Sequence, residues 1–88
     1  MSIQQFNGTA TTSPTTVSFS GDVSSSILIQ NVDSGAGSIL VSFDGGTTFK
    51  TLANQWDFIS IDANIIDFVI KTSAGSKSYE SIVVIGGA

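Results

Sequence analysis

Short runs of alternating apolar and polar residues follow one another along this chain, separated by turn-forming residues. In Thr15–Ser20, for example, Val17 and Phe19 alternate with Ser18 and Ser20. Successive side chains of a strand point to opposite faces, so this pattern indicates a half-buried β-strand. The spacing that an amphipathic helix requires, with apolar residues at i, i+3, i+4 and i+7, is absent. The pattern therefore predicts an all-β protein.

Eight such runs are predicted as strands, and they share a richness in Val, Ile, Phe and Thr. The runs are Ile3–Phe6, Thr15–Ser20, Ser26–Val32, Ser38–Asp44, Thr48–Ala53, Trp56–Ile61, Ile66–Thr72 and Ser78–Ile85. In the seventh run, Ile66, Phe68 and Ile70 are expected to share one face. Nearly all links have hairpin length, which favours a small antiparallel β-sandwich, jelly-roll-like, of seven or eight short strands over a closed barrel. The strand order stays open.

The segment Asn7–Thr16, "NGTATTSPTT", differs from the rest of the chain. It is polar, contains the one proline and lacks a core pattern. We expect it to form an extended arm or a long loop that links the first strand to the body. The 88 residues are too few for two domains of usual size. We therefore predict one domain, with a strand and polar arm over 1–16 and the sandwich over 17–88.

The residue types that the chain lacks exclude several chemistries. It has no histidine, arginine or cysteine, and its bases are Lys50, Lys71 and Lys77. Without histidine and cysteine, the usual proton shuttle, the commonest metal ligand and thiolate nucleophiles are missing. All three lysines lie near strand ends or turns, where we expect them to be solvated, and this disfavours a Ser–Lys dyad. We therefore predict neither enzyme activity nor a cofactor.

The net charge and the low fraction of charged residues indicate which kinds of partner the chain could bind. A net charge of −4 argues against nucleic-acid binding, which depends on cationic surfaces. Only 11% of residues are charged and 41% are hydrophobic, against about 25% charged in ordinary domains. Low charge weakens protection against association, so we expect a surface covered by partners. A monomer kept soluble by its Ser and Thr hydroxyls is the alternative.

Membrane insertion and secretion are not expected. The opening "MSIQQFNGTATTSP" lacks the basic and apolar regions of a secretory signal. The longest apolar run near the end, Ile82–Ile85, is far too short to span a bilayer.

The stretch "SFDGGTTFK", residues 42–50, has the composition of a hairpin turn. We predict that Asp44 accepts hydrogen bonds from the backbone amides of the turn and that the two glycines supply positive φ angles. Thr48 is expected to bond back across the loop, and Phe49 to pack under it beside Phe43. The predicted structural turn residues are Ser42, Asp44, Gly45, Gly46, Thr48 and Phe49.

The same stretch fits the pattern S-x-D-x-G-x-T-aromatic, which resembles the Asp-box of sialidases and related propellers. In those proteins the Asp-box is likewise a structural hairpin, distant from the catalytic centre. A propeller would repeat the motif at blade spacing, and this chain contains one copy. Sialidase chemistry would also need arginines for the substrate carboxylate. We therefore interpret the motif as a turn.

The aspartates are candidate metal ligands. The sequence has no D-x-D-x-D-G run of the calcium-binding type. Asp57, Asp62 and Asp67 are spaced by five, which alternates faces in strands, and we expect them to solvate strand ends and loops. A calcium site built from Asp44 and a neighbouring loop is the alternative. We predict no metal.

Several apolar residues are candidates for partner contacts. Trp56, the sole tryptophan, would fill the core if buried; if exposed it would meet a neighbouring subunit or stack on a sugar, and we favour the core or a subunit contact. The consecutive apolar residues of Ile82–Ile85 do not alternate, so one face needs a second cover. That cover is either the other sheet of the same chain or a neighbouring subunit. The candidate contacts are Ile3, Phe6, Trp56, Ile82 and Val84.

Four segments between Ile27 and Ile85 are distinctive in combination: "ILIQN", "ILVSFDGGTTFKTL", "FVIKTSAGSKSYE" and the apolar tail. Together they resemble small β-sandwich virion proteins of tailed bacteriophages. Such proteins include head decoration, or cement, proteins, and related modules occur in tails and fibres. The resemblance implies a non-enzymatic virion protein, made in the host cytoplasm, that stabilises the head by binding the major capsid protein. A tail, collar or fibre-associated adaptor or glycan-binding module is the alternative. We expect a homo-oligomer, with a trimer favoured.

Overall fold

A computed structural model describes residues 2–86 of the chain as eight antiparallel strands in two sheets. The strands are β1 (Ser2–Ala10), β2 (Thr15–Ser18), β3 (Ser24–Asn31), β4 (Ile39–Ser42), β5 (Lys50–Leu52), β6 (Phe58–Ile61), β7 (Asp67–Thr72) and β8 (Lys77–Ile85). This confirms the predicted small β-sandwich. The predicted domain also includes residues 1, 87 and 88, which lie outside the described residues.

The two sheets have a jelly-roll order. Sheet A is β1-β8-β3-β6, and sheet B is β2-β7-β4-β5. The chain passes between the sheets at every connection except β4–β5 and therefore forms one hairpin between consecutive strands in the described region. Short links predicted from sequence thus lead mostly to the opposite sheet. Within residues 2–86 no helix is long and apolar enough to cross a membrane.

The core lies between the sheets and is built from alternate residues of their strands. Phe19 stands at its centre, with its ring 6.0 Å from those of Phe6 and Phe68, centroid to centroid. Both Phe19 and Phe68 are fully buried. The other buried apolar side chains, in chain order, are Ala10, Ile27, Ile29, Ile39, Val41, Leu52, Val69, Ile70, Tyr79, Val83 and Ile85.

The predicted arm over Asn7–Thr16 is wrong for most of its length. β1 continues to Ala10 and pairs with β8 without a break, from Ser2 opposite Ile85 to Ala10 opposite Lys77. Ala10 is buried in the core. The polar residues of this segment stay in the strand because the ladder of backbone hydrogen bonds to β8 does not depend on side-chain polarity. Residues 11–14 alone form the link to β2.

Other predicted strand boundaries also change, by one or two residues at most ends. β5 begins at Lys50 and β6 at Phe58, because the residues before them form loops. Ile66 precedes β7 and is 55% exposed, so it does not share the core face of Phe68 and Ile70. Its carbonyl accepts a hydrogen bond from the Phe19 amide at 3.1 Å, which fixes the backbone while the side chain faces solvent.

Lys77 is buried, which contradicts the expectation that all three lysines are solvated. Its side chain is 1% exposed, and its Nζ donates to the carbonyls of Gly35 and Ala36 at 2.7 and 3.1 Å. The same ammonium lies 3.4 Å from Oδ1 of Asp33. Hydrogen bonds from the Ser78 and Gly35 amides, together with the ammonium, hold the pKa of Asp33 below its ordinary value. Lys77 therefore ties the β3–β4 loop to the start of β8.

We expect K77M to lower the free energy of unfolding by about 1–3 kcal/mol, because the Gly35 and Ala36 carbonyls would lose their donor and Asp33 its cation. Thermal or urea unfolding measures this. K50M, which removes an exposed lysine from β5, is the control and should change stability little. Equal effects of the two substitutions would show that the buried ammonium does not hold the loop.

Candidate functional site

The loop 43–49 connects β4 to β5 and is organised by two side chains. The Ser42 hydroxyl donates to Oδ1 of Asp44 at 2.6 Å and accepts from the Gly46 amide at 2.9 Å. Asp44 Oδ1 also accepts from the amides of Thr47 and Thr48, at 3.1 and 2.9 Å. These bonds close the loop around one carboxylate oxygen.

The conformation of this loop requires its two glycines. Gly45 and Gly46 have φ angles of 81° and 97°, in the region that side chains with a Cβ avoid. Phe49 is half-buried, and the Lys71 ammonium lies 4.3 Å from the centroid of its ring. Phe43, also half-buried, packs against the core. All the polar groups bonded to Asp44 belong to the loop or its flanks, so the geometry is that of a structural turn.

The Asp44 carboxyl is strongly acidic. The hydroxyl of Ser42, followed by the Thr48 amide, lowers the pKa of Asp44 from 3.8 to about 2. Within the described residues there is no group of three or more His, Cys, Asp or Glu side chains that could hold a metal ion.

The outer face of sheet A carries several exposed apolar side chains. We define it by three rows of residues opposite one another across the strands. The first row is Ile3–Val84–Ser26, the second is Gln5–Ile82–Leu28–Ser60, and the third is Asn7–Glu80–Gln30–Phe58. The first two rows carry no charge. Glu80 is the single charged residue of the three rows.

Several aliphatic side chains on this face have large solvent-exposed fractions. Ile3 is 60% exposed and Ile82 is 43% exposed, while Val84 and Leu28 are half-buried. Phe58, at the β6 edge, is 61% exposed. Apolar clusters on a monomer's surface mark sites of interaction. This face therefore has the physical character of a contact surface.

The five predicted contact residues do not all lie together. Ile3, Ile82 and Val84 meet on the outer face, in adjacent rows. Phe6 points the other way and packs against Phe19, so it is a core residue in this chain. Side chains of a strand alternate between its two faces, and Ile3 and Phe6 are three positions apart, so they point to opposite faces of β1.

Trp56 lies outside the core. It is 60% exposed and sits in the turn before β6 rather than at the start of a strand. Its φ angle is 75°, an outlier for a bulky residue. Two hydrogen bonds hold this backbone: the Trp56 amide donates to the Asn31 carbonyl at 2.6 Å, and Gln30 Nε2 donates to the Trp56 carbonyl at 3.2 Å.

Leu28 and Phe58 also lie on the outer face, and the sequence analysis did not name them among the candidates. Both lie in predicted strands, and the alternation in each strand was readable. The missing information was which neighbour each strand pairs with. β3 pairs with β8 and β6, and this places Leu28 beside Ile82 and Phe58 beside Gln30.

An open depression of about 450 Å³ crosses β1 and β8 and is polar in character. Its lining residues are Gln5, Phe6, Asn7, Glu80, Ser81 and Ile82. The Ser81 hydroxyl is buried and has no hydrogen-bond partner. Glu80 and Ser81 are successive residues of β8, so their side chains point to opposite faces of sheet A and do not form an acid–base pair.

Comparisons with known proteins identify the fold. No protein-family model and no curated protein matches the chain. Among solved structures, it is similar to a chain from Bacillus endospore appendages, which are described as a novel family of disulfide-linked pili. The TM-score is 0.63 and the identity 14%, over 98% of this chain and 87% of that chain. At this identity the likeness shows the fold alone.

Acid should weaken the fold through Asp44. Because its pKa in the folded state, about 2, lies below the ordinary 3.8, the ionised carboxylate stabilises the protein above about pH 4, and this stabilisation is lost as the pH falls toward 2. The melting-temperature difference between wild type and D44N should therefore shrink across that range. D62N, at an exposed aspartate, should show no such convergence. A constant difference for D44N would contradict the assigned role.

Replacing Trp56 with glycine should leave the protein as stable or raise its stability by up to about 2 kcal/mol. Glycine removes backbone strain of about 1–3 kcal/mol, partly offset by the greater freedom of the unfolded chain. W56A is the matched control and should be less stable than W56G, because alanine keeps the strained φ. Urea unfolding of both measures the effect. A large loss in W56G would show that the indole supports the fold.

Proposed function

We propose that this protein is a non-enzymatic structural subunit of a tailed-phage virion, of the decoration type, which binds the major capsid protein through the outer face of sheet A. The single observation that carries the proposal is the uncharged pair of rows containing Ile3, Val84, Ile82 and Leu28. The phage assignment itself depends on the resemblance of residues 27–85 to virion β-sandwiches.

The outer face supports a flat, extended contact rather than a ligand pocket. Neighbouring positions on three strands present aliphatic side chains at two levels, and the strands hold them at fixed spacing. Burying these aliphatic side chains against a partner removes their apolar area from water, which favours association. Glu80 and Gln30, in the third row, would form the polar rim at one end. This arrangement of an apolar centre and a polar border is typical of protein interfaces.

The rigidity of the body also suits a structural role. Two loops are held by charged side chains: the buried ammonium of Lys77 bonds residues 33–36, and one carboxylate oxygen of Asp44 accepts bonds from the amides of Thr47 and Thr48. A subunit that joins larger components gains affinity when its contact surface is already ordered, because binding then costs less conformational entropy.

The structural neighbour supports the same general role from another direction. It is a pilus chain and not a phage protein, so the same fold occurs in one extended protein assembly, and this supports the proposal. The disulfide links of those pili are not open to this chain, which has no cysteine. Any assembly of this protein would therefore form without disulfides between its subunits.

A glycan-binding module of a tail or fibre is the second candidate, and the exposed aromatics favour it. Trp56 and Phe58 are 60% and 61% exposed, and both contact or oppose Gln30, which can donate hydrogen bonds. Exposed aromatic faces beside amide groups suit sugar stacking. W56G separates the candidates, because it should abolish glycan binding and leave capsid binding through Ile3 and Ile82 intact.

The proposed function predicts that the protein is present in hundreds of copies in virions of the phage that encodes it, as counted by quantitative mass spectrometry. I82Q should fold normally and should bind capsids stripped of this component at least about tenfold more weakly, because a buried contact is replaced by a polar group. I66Q is the control, since Ile66 is equally apolar and exposed but lies outside sheet A.

Three to eighteen copies per virion would contradict the decoration role and favour a tail or collar component. Undiminished capsid binding by I82Q would exclude the outer face as the contact surface.

A further inference from the structure

The four edge strands of the sandwich differ in how well they are protected from pairing with another chain. Edge strands in monomers are usually short, charged, interrupted by proline or bulged. β2 has four residues and follows Pro14, and β5 has three residues and begins with Lys50. β6 has four residues and is flanked by Asp57 and Asp62. These three edge strands therefore have the features that usually prevent pairing with another chain.

β1 has none of these devices. It is nine residues long, contains neither charge nor proline, and pairs with β8 in an unbroken register. β8 occupies one side of β1, and no other strand of sheet A lies on its other side. Along this free side, alternate backbone N–H and C=O groups of Ser2–Ala10 point away from the sheet. β1 is therefore a long, neutral template for strand addition.

From these observations we infer that β1 pairs antiparallel with β1 of a second copy of this chain and joins two A sheets into one continuous sheet of eight strands. A second copy of β1 fits this edge, because both strands would then have nine residues and neither would carry a charge. Pairing β1 with β6 instead would leave more than half of the longer strand unpaired and place it beside two aspartates.

Symmetry restricts the register of this pairing. Two identical antiparallel strands in one sheet are related by a two-fold axis perpendicular to the sheet, so outer-face residues stay on the outer face. Residues opposite one another therefore have the same parity, and one residue must face its own copy. In the register that uses all nine residues, this residue is Phe6, and Ser2 lies opposite Ala10.

The side chains are compatible with that register. On the outer face Gln5 lies opposite Asn7 of the other copy and Ile3 opposite Thr9, so amides meet amides and each isoleucine meets a β-branched partner. No like charges are brought together. Both copies then present Ile3, Ile82 and Val84 on the same side, and the apolar outer face is doubled in width.

This inference rests on the proposed structural role but fails separately from it. It gives a dimer with two-fold symmetry, whereas the sequence favoured a trimer. A monomer that still decorates capsids would refute the pairing and leave the proposed function standing. A protein that forms this dimer but is absent from virions would refute the proposed function and leave the pairing standing.

The first experiment measures the oligomeric state by analytical ultracentrifugation of the full chain and of Q5K/N7K. Both positions are exposed in the monomer, and in the dimer each lysine would face a lysine of the other copy. We expect a dimer for the wild type and an increase of at least about tenfold in the dissociation constant for Q5K/N7K. T16K/S18K adds the same charges to exposed positions of β2 and should remain dimeric.

A wild type that is monomeric at millimolar concentration, or trimeric, would overturn the inference, as would an unchanged dissociation constant for Q5K/N7K. If that variant fails to fold, cross-linking tests the register directly. The Q5C and N7C variants, mixed and mildly oxidised, should form a disulfide-linked heterodimer, because opposite Cα atoms lie about 4.5–5.5 Å apart. Preferential Q5C–Q5C or N7C–N7C products, or no cross-link, would exclude the register centred on Phe6.

Discussion

The period-two alternation of β8, fixed by its pairing on both sides, is the constraint on which the structure depends. β1 and β3 hold β8 in register, and this places Val83 and Ile85 in the core while Ile82 and Val84 face outward. A slip of one residue would exchange the two sets and expose the core side chains. The packing that stabilises the sandwich and the apolar outer face therefore have the same origin.

Two charged contacts hold the loops around this framework in different ways. Asp44 collects hydrogen bonds from residues within four positions of itself, so its loop is organised locally. Lys77 reaches Gly35 across 42 positions of sequence, and this contact exists only when β8 and the β3–β4 loop are assembled. The first contact pre-organises a turn, and the second joins separate parts of the fold.

The structure makes the surface of this protein uneven. Three of the four sheet edges are short or charged, while β1 is long and neutral, and the outer face beside it carries exposed aliphatic residues. A small sandwich cannot bury all of its apolar residues between two sheets, because much of its surface stays exposed. Among the described residues, Ile3, Phe58 and Ile82 are exposed on the outer face of sheet A, while Val23, Trp56 and Ile66 are exposed in the connections between strands.

The sequence by itself determined the all-β class, the approximate strand positions and the turn around Asp44, because alternation and turn chemistry are local properties. Only the tertiary structure decided the strand order, the burial of Lys77, the exposure of Trp56 and Ile66, and the incorporation of Asn7–Ala10 into β1. Each of these depends on which distant segment lies alongside. The outer face lies between the two cases: Ile3, Ile82 and Val84 were recognisable as apolar residues, but pairing across β1, β8 and β3 brought them together with Leu28.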